Sequence, residues 1–553
     1  MAEKLKIISL GGLNEVGKNI TVFEYKNDIL VVDCGIGFPD GEMYGVDVVI
    51  PNIAYLAKNR DRIRGIVLTH GHEDHIGSLP YVLTDINAPI YATDITAGLI
   101  SLKLEEHKLL DIADINIIEP GKTFKVGCFT IEPIHVNHSI AGAVALAITT
   151  PLGIVLHTGD FKIDATPIGC EMTDLTRFGE LGKKGVLCML SDSTNAERKG
   201  FSPSERTVGH TFDALFDRCK SRIIVTTFAS NIYRIQQIID VSARYGRKVA
   251  ITGRSMENMI HVASELGYLD IPKNILIELN QIKNFPKEQI TIITTGSQGE
   301  SMSALYRMAF SNHKQIEIIP GDRVIISASA VPGNEKTVSH IVNELFRKGA
   351  EVMYRGSMED LHVSGHACQE ELKVMLALVK PKFFIPVHGE QRHMIIHSEL
   401  AKSVGIPHQN IVISDIGKVV EVSKKAIALN GVVPSGKVLV DGTGIGDVGS
   451  VVLRDRKHLA QDGMLVVVLS LSSEDGGIIS GPDIITRGFV YVKEAADLID
   501  EMRTLVTETI YACNANDITD WATLKTSIKT ALSSYLYKTT RRSPMILPVI
   551  MEV

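Results

Sequence analysis

Short hydrophobic runs rich in β-branched residues alternate with polar turns along the first third of the chain. Three of these runs, at residues 6–10, 20–25 and 29–33, have the length and composition of β-strands. A helical pattern, with apolar residues every three or four positions, follows at residues 96–107. The mixture predicts sheets covered by helices, which is an α/β class of fold.

The pattern changes after residue 205. Four continuous apolar runs are typical of parallel strands buried on both faces, and they lie at residues 222–227, 248–252, 289–294 and 323–327. After residue 350 the earlier pattern returns, which predicts an α/β domain inserted into a first domain. The predicted divisions are a first domain at 1–205 and 351–430, an inserted domain at 206–350, a linker at 431–450 and a last domain at 451–553.

The last domain also has a mixed α/β pattern. Strands are predicted near residues 465–469 and 488–492, and a closing strand at 544–550. An amphipathic helix is predicted after Ala495.

Composition restricts the function classes. A chain of 553 residues with 45% hydrophobic and 22% charged residues is an ordinary globular protein with room for about three or four domains. No apolar run approaches the roughly 18–20 residues that span a membrane, and no signal peptide is recognisable. Seven scattered cysteines without a Cys-x-x-Cys pair predict reduced thiols and a cytoplasmic protein. With a net charge of −7, a polyanionic substrate would need local basic patches and metal ions.

Metal-binding residues are concentrated directly after the apolar run at 64–69. Three histidines and a carboxylate fall within six positions, namely His70, His72, Asp74 and His75. Imidazole and carboxylate suit zinc, manganese or iron, but one tight turn cannot wrap all four side chains around a single ion. The spacing therefore predicts two ions about 3.5–4 Å apart, with His70 and His72 facing one and the other pair facing the second.

Further ligands are expected at strand ends, where a rigid sheet presents side chains to one edge. Asp160 and His388 each end an apolar run, and the Asp160 carboxylate could bridge two cations. Either His138 or His135 can complete the first metal, and periodicity does not decide between them. Asp33 ends another strand and is predicted to orient metal ligands without binding the metal itself.

The complete pattern resembles a known superfamily. The run His-x-His-x-Asp-His at 70–75, with His138, Asp160 and His388, resembles the metallo-β-lactamase fold, and the split insert resembles the β-CASP nucleases. Further motifs make nearly the whole chain look like the ribonuclease J family, and they lie at residues 10–19, 191–195, 228–234, 253–258, 295–300, 362–366 and 541–549. The implied fold is a metallo-β-lactamase αββα sandwich split by an inserted α/β β-CASP domain, plus a small C-terminal α/β domain.

The resemblance also assigns roles to residues. It implies that His70, His72 and His138 hold one metal, that Asp74, His75 and His388 hold the other, and that Asp160 lies between them. Asp192 matches the acid of the first β-CASP motif, and His366 matches the histidine of the second. Substrate contacts map onto Ser230, Asn231, His362, Val363, Ser364, Gly365 and His366. Because the metal motif is intact, unlike in some weak or inactive paralogues, the chain is predicted to be an active enzyme.

The implied activity is a metal-dependent ribonuclease. It would act as a 5′→3′ exonuclease that prefers 5′-monophosphate ends and also as an endonuclease, in messenger RNA decay and ribosomal RNA maturation. Two divalent cations are expected, zinc first, with manganese or magnesium as substitutes. Asp74 and Asp160 would position or deprotonate the attacking water, and His366 would protonate the leaving oxygen. The expected partners are RNA, a second copy in a homodimer or homotetramer, a paralogous subunit and other RNA-decay proteins, without a membrane.

Several alternatives stay open at this point. The same metal turn serves small-molecule hydrolases of the lactamase and glyoxalase kind, which do not need the insert, and DNA nucleases of the same superfamily. A scaffold subunit in an RNA-decay complex is a further alternative. Polar turns such as Ser230–Asn231 have ordinary helix capping as a competing explanation. Asp47 and Asp441 are candidates for a structural calcium ion, although as acids in glycine-rich turns they need no metal.

Overall fold

The computed structural model describes residues 3–300, 303–330, 334–490, 495–516, 518 and 520–553. The chain divides into two compact units. One is Met1–Phe38 with Val48–Val438, and the other is Pro39–Asp47 with Leu439–Val553. Within the described ranges, no helix is both long enough and apolar enough to cross a bilayer.

The first unit is built from strands and helices in alternation. Its strands are β1 (Leu5–Gly11), β2 (Ile20–Tyr25), β3 (Asp28–Val32), β4 (Val48–Pro51), β5 (Ile63–Val67), β6 (Ile90–Ala92), β7 (Ile115–Ile117), β8 (Phe124–Val126), β9 (Phe129–His135), β10 (Val144–Thr150), β11 (Gly153–His157), β12 (Val186–Asp192), β13 (Ile223–Thr226), β14 (Lys248–Thr252), β15 (Ile290–Thr294), β16 (Arg323–Ile326), β17 (Glu351–Met353), β18 (Phe383–Val387), β19 (Lys418–Val422) and β20 (Ile427–Val432). Its helices are α1 (Ala54–Lys58), α2 (Glu73–Ile76), α3 (Leu79–Val82), α4 (Asp94–Glu106), α5 (Leu175–Lys184), α6 (Arg206–Phe216), α7 (Ile232–Arg244), α8 (Arg254–Glu265), α9 (Ala304–Ala309), α10 (Glu335–Arg347), α11 (Gln369–Val379) and α12 (Gln391–Ser403).

Two sheets pack face to face in this unit. One has the order β20-β19-β1-β2-β3-β5-β6-β7, and the other has the order β18-β12-β11-β10-β9-β8. Buried residues from both, such as Phe23 and Leu146, share one hydrophobic cluster. The outer face of the first sheet packs on α3 and α4, and that of the second packs on α5 and α11. Because each sheet buries both faces, the result is the αββα sandwich that the sequence predicts.

A third sheet lies between β12 and β18 in the sequence. Its order is β14-β15-β13-β16-β17, and all its neighbouring strands are parallel. Helices α6 to α8 cover one face, and α9 and α10 cover the other. The four predicted parallel strands are therefore confirmed. The strands that flank this insert, β12 and β18, pair in parallel, so the chain returns to the six-stranded sheet beside the strand it left.

The later part of the chain forms a small α/β layer pair. Its elements are β21 (Lys437–Asp441), β22 (Gly444–Ile445), α13 (Ser450–Asp462), β23 (Met464–Leu471), β24 (Ile478–Arg487), α14 (Ala496–Ala515), α15 (Trp521–Thr540) and β25 (Met545–Glu552). The sheet order is β24-β23-β25, and its apolar face packs on α14 and α15. The predicted helix after Ala495 and the closing strand are confirmed.

One strand prediction in this region is wrong. Residues 488–490 do not form a strand, and the rest of the prediction at 488–492 lies outside the described residues. The strand that pairs with β23 is instead β24. Its Ser480-Gly-Pro482 segment has the composition of a turn, which hides the strand from a pattern analysis.

Candidate metal centre

Parallel strand ends bring the candidate ligands to one place. Strands β3 and β5 are parallel with Val32 opposite Val67, so Asp33 lies beside the loop that begins at Thr69. In the facing sheet, β11, β12 and β18 are parallel neighbours, and Asp160, Asp192 and His388 lie at or just after their carboxyl ends. Because carboxyl ends of parallel strands meet at one edge, residues separated by over 300 positions converge.

A first group of donors consists of His70, His72, His138 and Asp160. His72 Nδ1 lies 3.0 Å from His70 Nε2 and 3.1 Å from His138 Nε2. Asp160 Oδ2 lies 3.6 Å from His70 Nε2 and 3.8 Å from His138 Nε2. A tetrahedral ion with bonds of 2.0–2.1 Å would separate its ligand atoms by about 3.3 Å, so these spacings suit one cation.

His135, the competing candidate from the sequence, lies elsewhere. Its Nε2 is 2.9 Å from the carbonyl oxygen of Glu171, and the ring is partly exposed. His138 is buried and lies against His72. The tertiary structure thus selects His138, three residues further along, as the member of the group.

A second group consists of Asp74, His75, His388 and again Asp160. His388 Nε2 lies 3.3 Å from both Asp74 Oδ2 and Asp160 Oδ2. His75 Nε2 lies 3.3 Å from Asp160 Oδ2 and 3.7 Å from Asp74 Oδ2. One carboxylate oxygen, Asp160 Oδ2, therefore faces both groups.

Hydrogen bonds behind the rings fix how the histidines point. Four of them present Nε2 to the centre and use Nδ1 outside it, in the pairs His70–Thr69 Oγ1 at 3.0 Å, His75–Asp33 Oδ2 at 2.8 Å, His138–Gly365 O at 2.7 Å and His388–Thr194 Oγ1 at 2.9 Å. A proton on Nδ1 leaves the Nε2 lone pair free for a cation. His388 Nε2 is buried, and its 3.3 Å contacts with Asp74 Oδ2 and Asp160 Oδ2 lack hydrogen-bond geometry in the described chain, so a cation would satisfy this nitrogen.

The electrostatics differ between the two groups. Burial lowers the pKa of His70 and His138 well below the ordinary value, and it lowers the pKa of His72 to about 4, so these imidazoles are neutral donors at pH 7. Burial also acts to lower the pKa of His75, but the carboxylates of Asp160, Asp33 and Asp74 outweigh it and raise that pKa well above the ordinary value.

The carboxylates of Asp33, Asp74 and Asp160 lie close together among buried side chains, so they require compensating positive charge. Neutral imidazole nitrogens and carboxylate oxygens are a donor set that zinc and manganese accept equally. The described residues therefore fit a divalent-metal centre at the joint edge of the two sheets.

A third group lies at the border of this centre. His366 Nδ1 is 2.8 Å from Asp192 Oδ2 and 3.9 Å from Asp160 Oδ2, and its side chain is 20% exposed. Burial acts to lower the pKa of His366, but the Asp192 carboxylate outweighs it and the pKa is raised. His366 is thus a partly exposed histidine whose protonated form is favoured by the carboxylate of Asp192.

The segment 362–366 lies against both the metal centre and the inserted domain. Ser364 Oγ accepts a hydrogen bond of 2.8 Å from Asn195 Nδ2, which also donates to His366 O at 3.0 Å. A Cβ at Gly365 would lie 2.7 Å from the His138 ring, so only glycine allows this close approach. The Val363 side chain is buried in the core of the inserted domain, so substrate contact by this residue stays a prediction.

The Ser230–Asn231 turn shows the capping contact that competed with a binding role. Asn231 is buried, and its side-chain oxygen accepts a hydrogen bond of 3.1 Å from Arg234 N at the start of α7. Ser230 is partly exposed. Substrate contact by either residue stays a prediction.

The two calcium candidates have other partners. Asp441 Oδ2 accepts a hydrogen bond from Arg456 at 2.5 Å, and Asp47 Oδ2 accepts one from Gly442 N at 2.8 Å. In the described ranges, neither belongs to a group of three or more metal-binding side chains. The calcium ion therefore gains no support from these contacts.

Asn19 is a polar residue at the centre that the pattern analysis did not single out. Its Nδ2 donates to Asp74 O at 3.1 Å and lies 3.0 Å from His75 Nε2. The sequence indicated this residue only through its place in the glycine-rich segment 10–19, which is also explained as a turn between two strands.

Replacing Asp33 with alanine is expected to weaken metal binding about 10–100-fold, because His75 and Thr69 lose the carboxylate that orients them. Metal affinity is measured by competition with a chromophoric chelator. Asp28→Ala is the matched control, since Asp28 begins the same strand and pairs with Arg64 away from the centre. Equal affinities for both variants would contradict this orienting role.

Comparisons with known protein families match four parts of the chain. The metallo-β-lactamase superfamily model matches residues 13–168, the ribonuclease J β-CASP domain model matches 220–345, the model of a Zn-dependent metallo-hydrolase RNA specificity domain matches 351–412, and the ribonuclease J C-terminal domain model matches 451–553.

Similar full-length proteins are also known. Ribonuclease J2 of Bacillus subtilis is 42% identical over 552 residues, which cover 100% of this chain and 99% of that protein. Ribonuclease J of Thermus thermophilus is 42% identical over 557 residues, covering 100% and 96%. A solved Enterococcus faecalis protein of unknown function matches 76% of this chain and 100% of its own, with a TM-score of 0.54 and 16% identity, which is a likeness of fold alone.

Proposed function

This chain belongs to the ribonuclease J family, and we propose that it is a hydrolytic ribonuclease that uses two divalent cations, zinc or manganese. Its architecture is a metallo-β-lactamase domain with a β-CASP domain and a C-terminal domain. The observation that carries the proposal is the pair of donor groups that share Asp160 Oδ2. The domain boundaries that the sequence predicts at residues 205, 350 and 430 are also part of this proposal.

The cations, when bound, supply Lewis acidity toward a water molecule and toward the phosphoryl oxygens. Asp74 Oδ2 and Asp160 Oδ2 each lie 3.3 Å from His388 Nε2, and in this proposal the two carboxylates orient that water and accept its proton. His366 lies at the border of the centre, Asp192 favours its protonated form and holds the ring in place, and in this proposal the ring donates its proton to the leaving oxygen. The products are a 5′-phosphate and a 3′-hydroxyl.

We further propose that the enzyme acts from 5′-monophosphate ends, in addition to cleaving internally. The supporting feature is the segment 362–366, which combines a hydroxyl at Ser364 with a positively charged surrounding. Burial keeps the pKa of His362 well below the ordinary value, and the nearby positive charges of Arg234, Arg355, Arg198 and Lys162 lower it further. A terminal phosphate is an anion that such a pocket would accept.

The test uses one RNA sequence prepared with a 5′-monophosphate, 5′-triphosphate or 5′-hydroxyl end, with manganese or zinc. The purified protein should degrade the monophosphorylated RNA fastest, and a chelator should stop the reaction until metal is restored. The double variant Asp74→Ala/His75→Ala is the inactive control. Cleavage that survives both the chelator and this variant would contradict metal dependence.

The same assay separates the competing functions. DNA of the same sequence, cleaved faster than RNA, would make the protein a DNA nuclease. No cleavage of either, with metal bound, would favour a scaffold subunit paired with an active paralogue. Equal rates for the three RNA ends would remove the terminal-phosphate preference but leave the ribonuclease.

We also propose a homodimer or homotetramer in the cytoplasm that works with other RNA-decay proteins. The sheet of the C-terminal part leaves apolar side chains exposed on the face away from its helices, among them Ile485 at 47%, Leu547 at 51% and Met551 at 49%. The cytoplasmic location is supported by the cysteines of the chain, which are all free thiols, as expected in a reducing compartment. Light scattering of the eluting full-length protein should give at least twice the monomer mass, and a monomer at micromolar concentration would contradict the oligomer.

A further inference from the structure

A completely buried arginine lies beside the segment 362–366. Arg234 is in the first turn of α7 and is 0% exposed. Its Nε donates to Glu205 Oε1 at 2.8 Å, and a second guanidinium nitrogen lies 2.6 Å from the same oxygen. The remaining terminal nitrogen donates to Ser327 O at 2.8 Å and lies 2.9 Å from His362 Nδ1.

The contact with His362 has one chemical interpretation. A guanidinium has only donors and stays protonated in proteins, so the nitrogen it faces must be an acceptor. His362 Nδ1 therefore carries a lone pair, and the neutral ring carries its proton on Nε2. His362 is half-buried, and its Nε2 has no hydrogen-bond partner in the described chain, so this N–H is available to a ligand.

We infer that Arg234 is a positioning residue that holds His362 as an uncharged Nε2–H donor for the terminal phosphate of RNA. The inference rests on the proposed 5′-end pocket and deepens it. The phosphate would be recognised by a fixed hydrogen-bond donor, with the positive charge supplied by arginine and lysine side chains around it. A histidine in that setting keeps one tautomer, because the other would place an N–H against the guanidinium.

The charge of Arg234 is neutralised, and its guanidinium is held by contacts on both sides. Glu205 is 7% exposed and supplies the counter-charge, and Ser327 O and His362 Nδ1 accept from the end that Glu205 does not face. The contributors come from four separate stretches of chain, before α6, within α7, after β16 and after β17. The guanidinium thus ties the inserted domain to the segment that borders the metal centre.

The test removes both buried charges together, because removing one would leave the other unpaired at a large cost in stability. The variant Arg234→Met/Glu205→Gln is compared with the full-length wild type on RNA with a 5′-monophosphate or a 5′-hydroxyl end. The KM for monophosphorylated RNA should rise about tenfold, which is the effect of one misplaced hydrogen bond to a charged group. The value of kcat, the KM for hydroxyl-ended RNA and the bound metal content should stay within about twofold of the wild type.

A matched control is available in the same sheet. Arg222 and Asp322 form another ion pair, largely buried, with Nε–Oδ1 at 2.9 Å, at the amino ends of β13 and β16. The variant Arg222→Met/Asp322→Asn removes the same kind of pair without touching His362. It should keep the preference for monophosphorylated ends. Equal loss of preference in both double variants would show a general structural effect and overturn the inference.

A second pair of variants decides the question if the double variant does not fold. Glutamine at position 362 can place an amide N–H near the position of Nε2–H, and leucine cannot. His362→Gln should therefore keep more of the end preference than His362→Leu. If the leucine variant discriminates as well as the wild type, the inference is wrong.

The outcomes also separate this inference from the proposed function. A wild-type enzyme without any end preference removes the pocket and the inference together. A wild-type enzyme that prefers monophosphate ends, beside a folded Arg234→Met/Glu205→Gln variant with the same preference, removes only the role of Arg234.

Discussion

Replacement of Asp160 by alanine is expected to lower the rate of RNA cleavage by at least about 10³-fold. The loss of residues that only orient ligands costs 10–100-fold, and Asp160 Oδ2 itself faces both donor groups, so the effect should exceed that range. Single-turnover cleavage of monophosphorylated RNA measures the rate. Bound metal per chain, measured by elemental analysis after gel filtration, should fall below the wild-type value.

Asp174→Ala serves as the control for this variant. Asp174 caps α5 through a hydrogen bond of 2.9 Å from Arg177 N and is exposed, so its loss should cost about 1 kcal/mol of stability and no activity. An Asp160→Ala protein that keeps both its metal content and more than a tenth of its activity would mean that the shared carboxylate is not part of the centre.

Replacement of His366 by alanine is expected to lower kcat about 10²–10⁴-fold while the metal content stays unchanged. The range is that of a lost general acid, and the ring lies at the border of the centre and not within either four-residue donor group. Asp192→Asn should give a smaller loss, because the ring remains but loses the carboxylate 2.8 Å from its Nδ1.

A substrate with a good leaving group tests the role of His366 directly. A nucleotide p-nitrophenyl phosphodiester releases a phenolate that needs no protonation, so His366→Ala should affect its hydrolysis far less than that of RNA. Equal losses on both substrates would exclude proton donation to the leaving oxygen and leave His366 with a binding role. Loss of metal from the variant would place it among the ligands instead.

Much of the metal centre was accessible from the sequence because its chemistry is local. His70, His72, Asp74 and His75 lie within six residues, and a turn of that length cannot direct all four at one ion. Asp160 and His388 could be predicted because they follow apolar runs, and strand ends converge at a sheet edge. The inserted parallel sheet was equally clear, since its strands are continuous apolar runs.

Other features depended on distances that no local pattern encodes. His135 and His138 are equally good candidates from the sequence pattern. Only the fold shows that the His135 ring faces Glu171 O and that the His138 ring faces His72. Strand β24 was missed because its internal Gly-Pro has the composition of a turn.

The sequence by itself determined the donor types and the class of fold, and it predicted an arrangement for two ions, because each of these follows from residue identity and short-range periodicity. Only the tertiary structure decided which nitrogen of each histidine faces the centre, since that depends on partners such as Gly365 O, 227 positions from His138. It alone also joined Arg234 to His362, 128 positions apart. Hydrogen bonds of this kind act over about 3 Å and carry no trace in the spacing of residues along the chain.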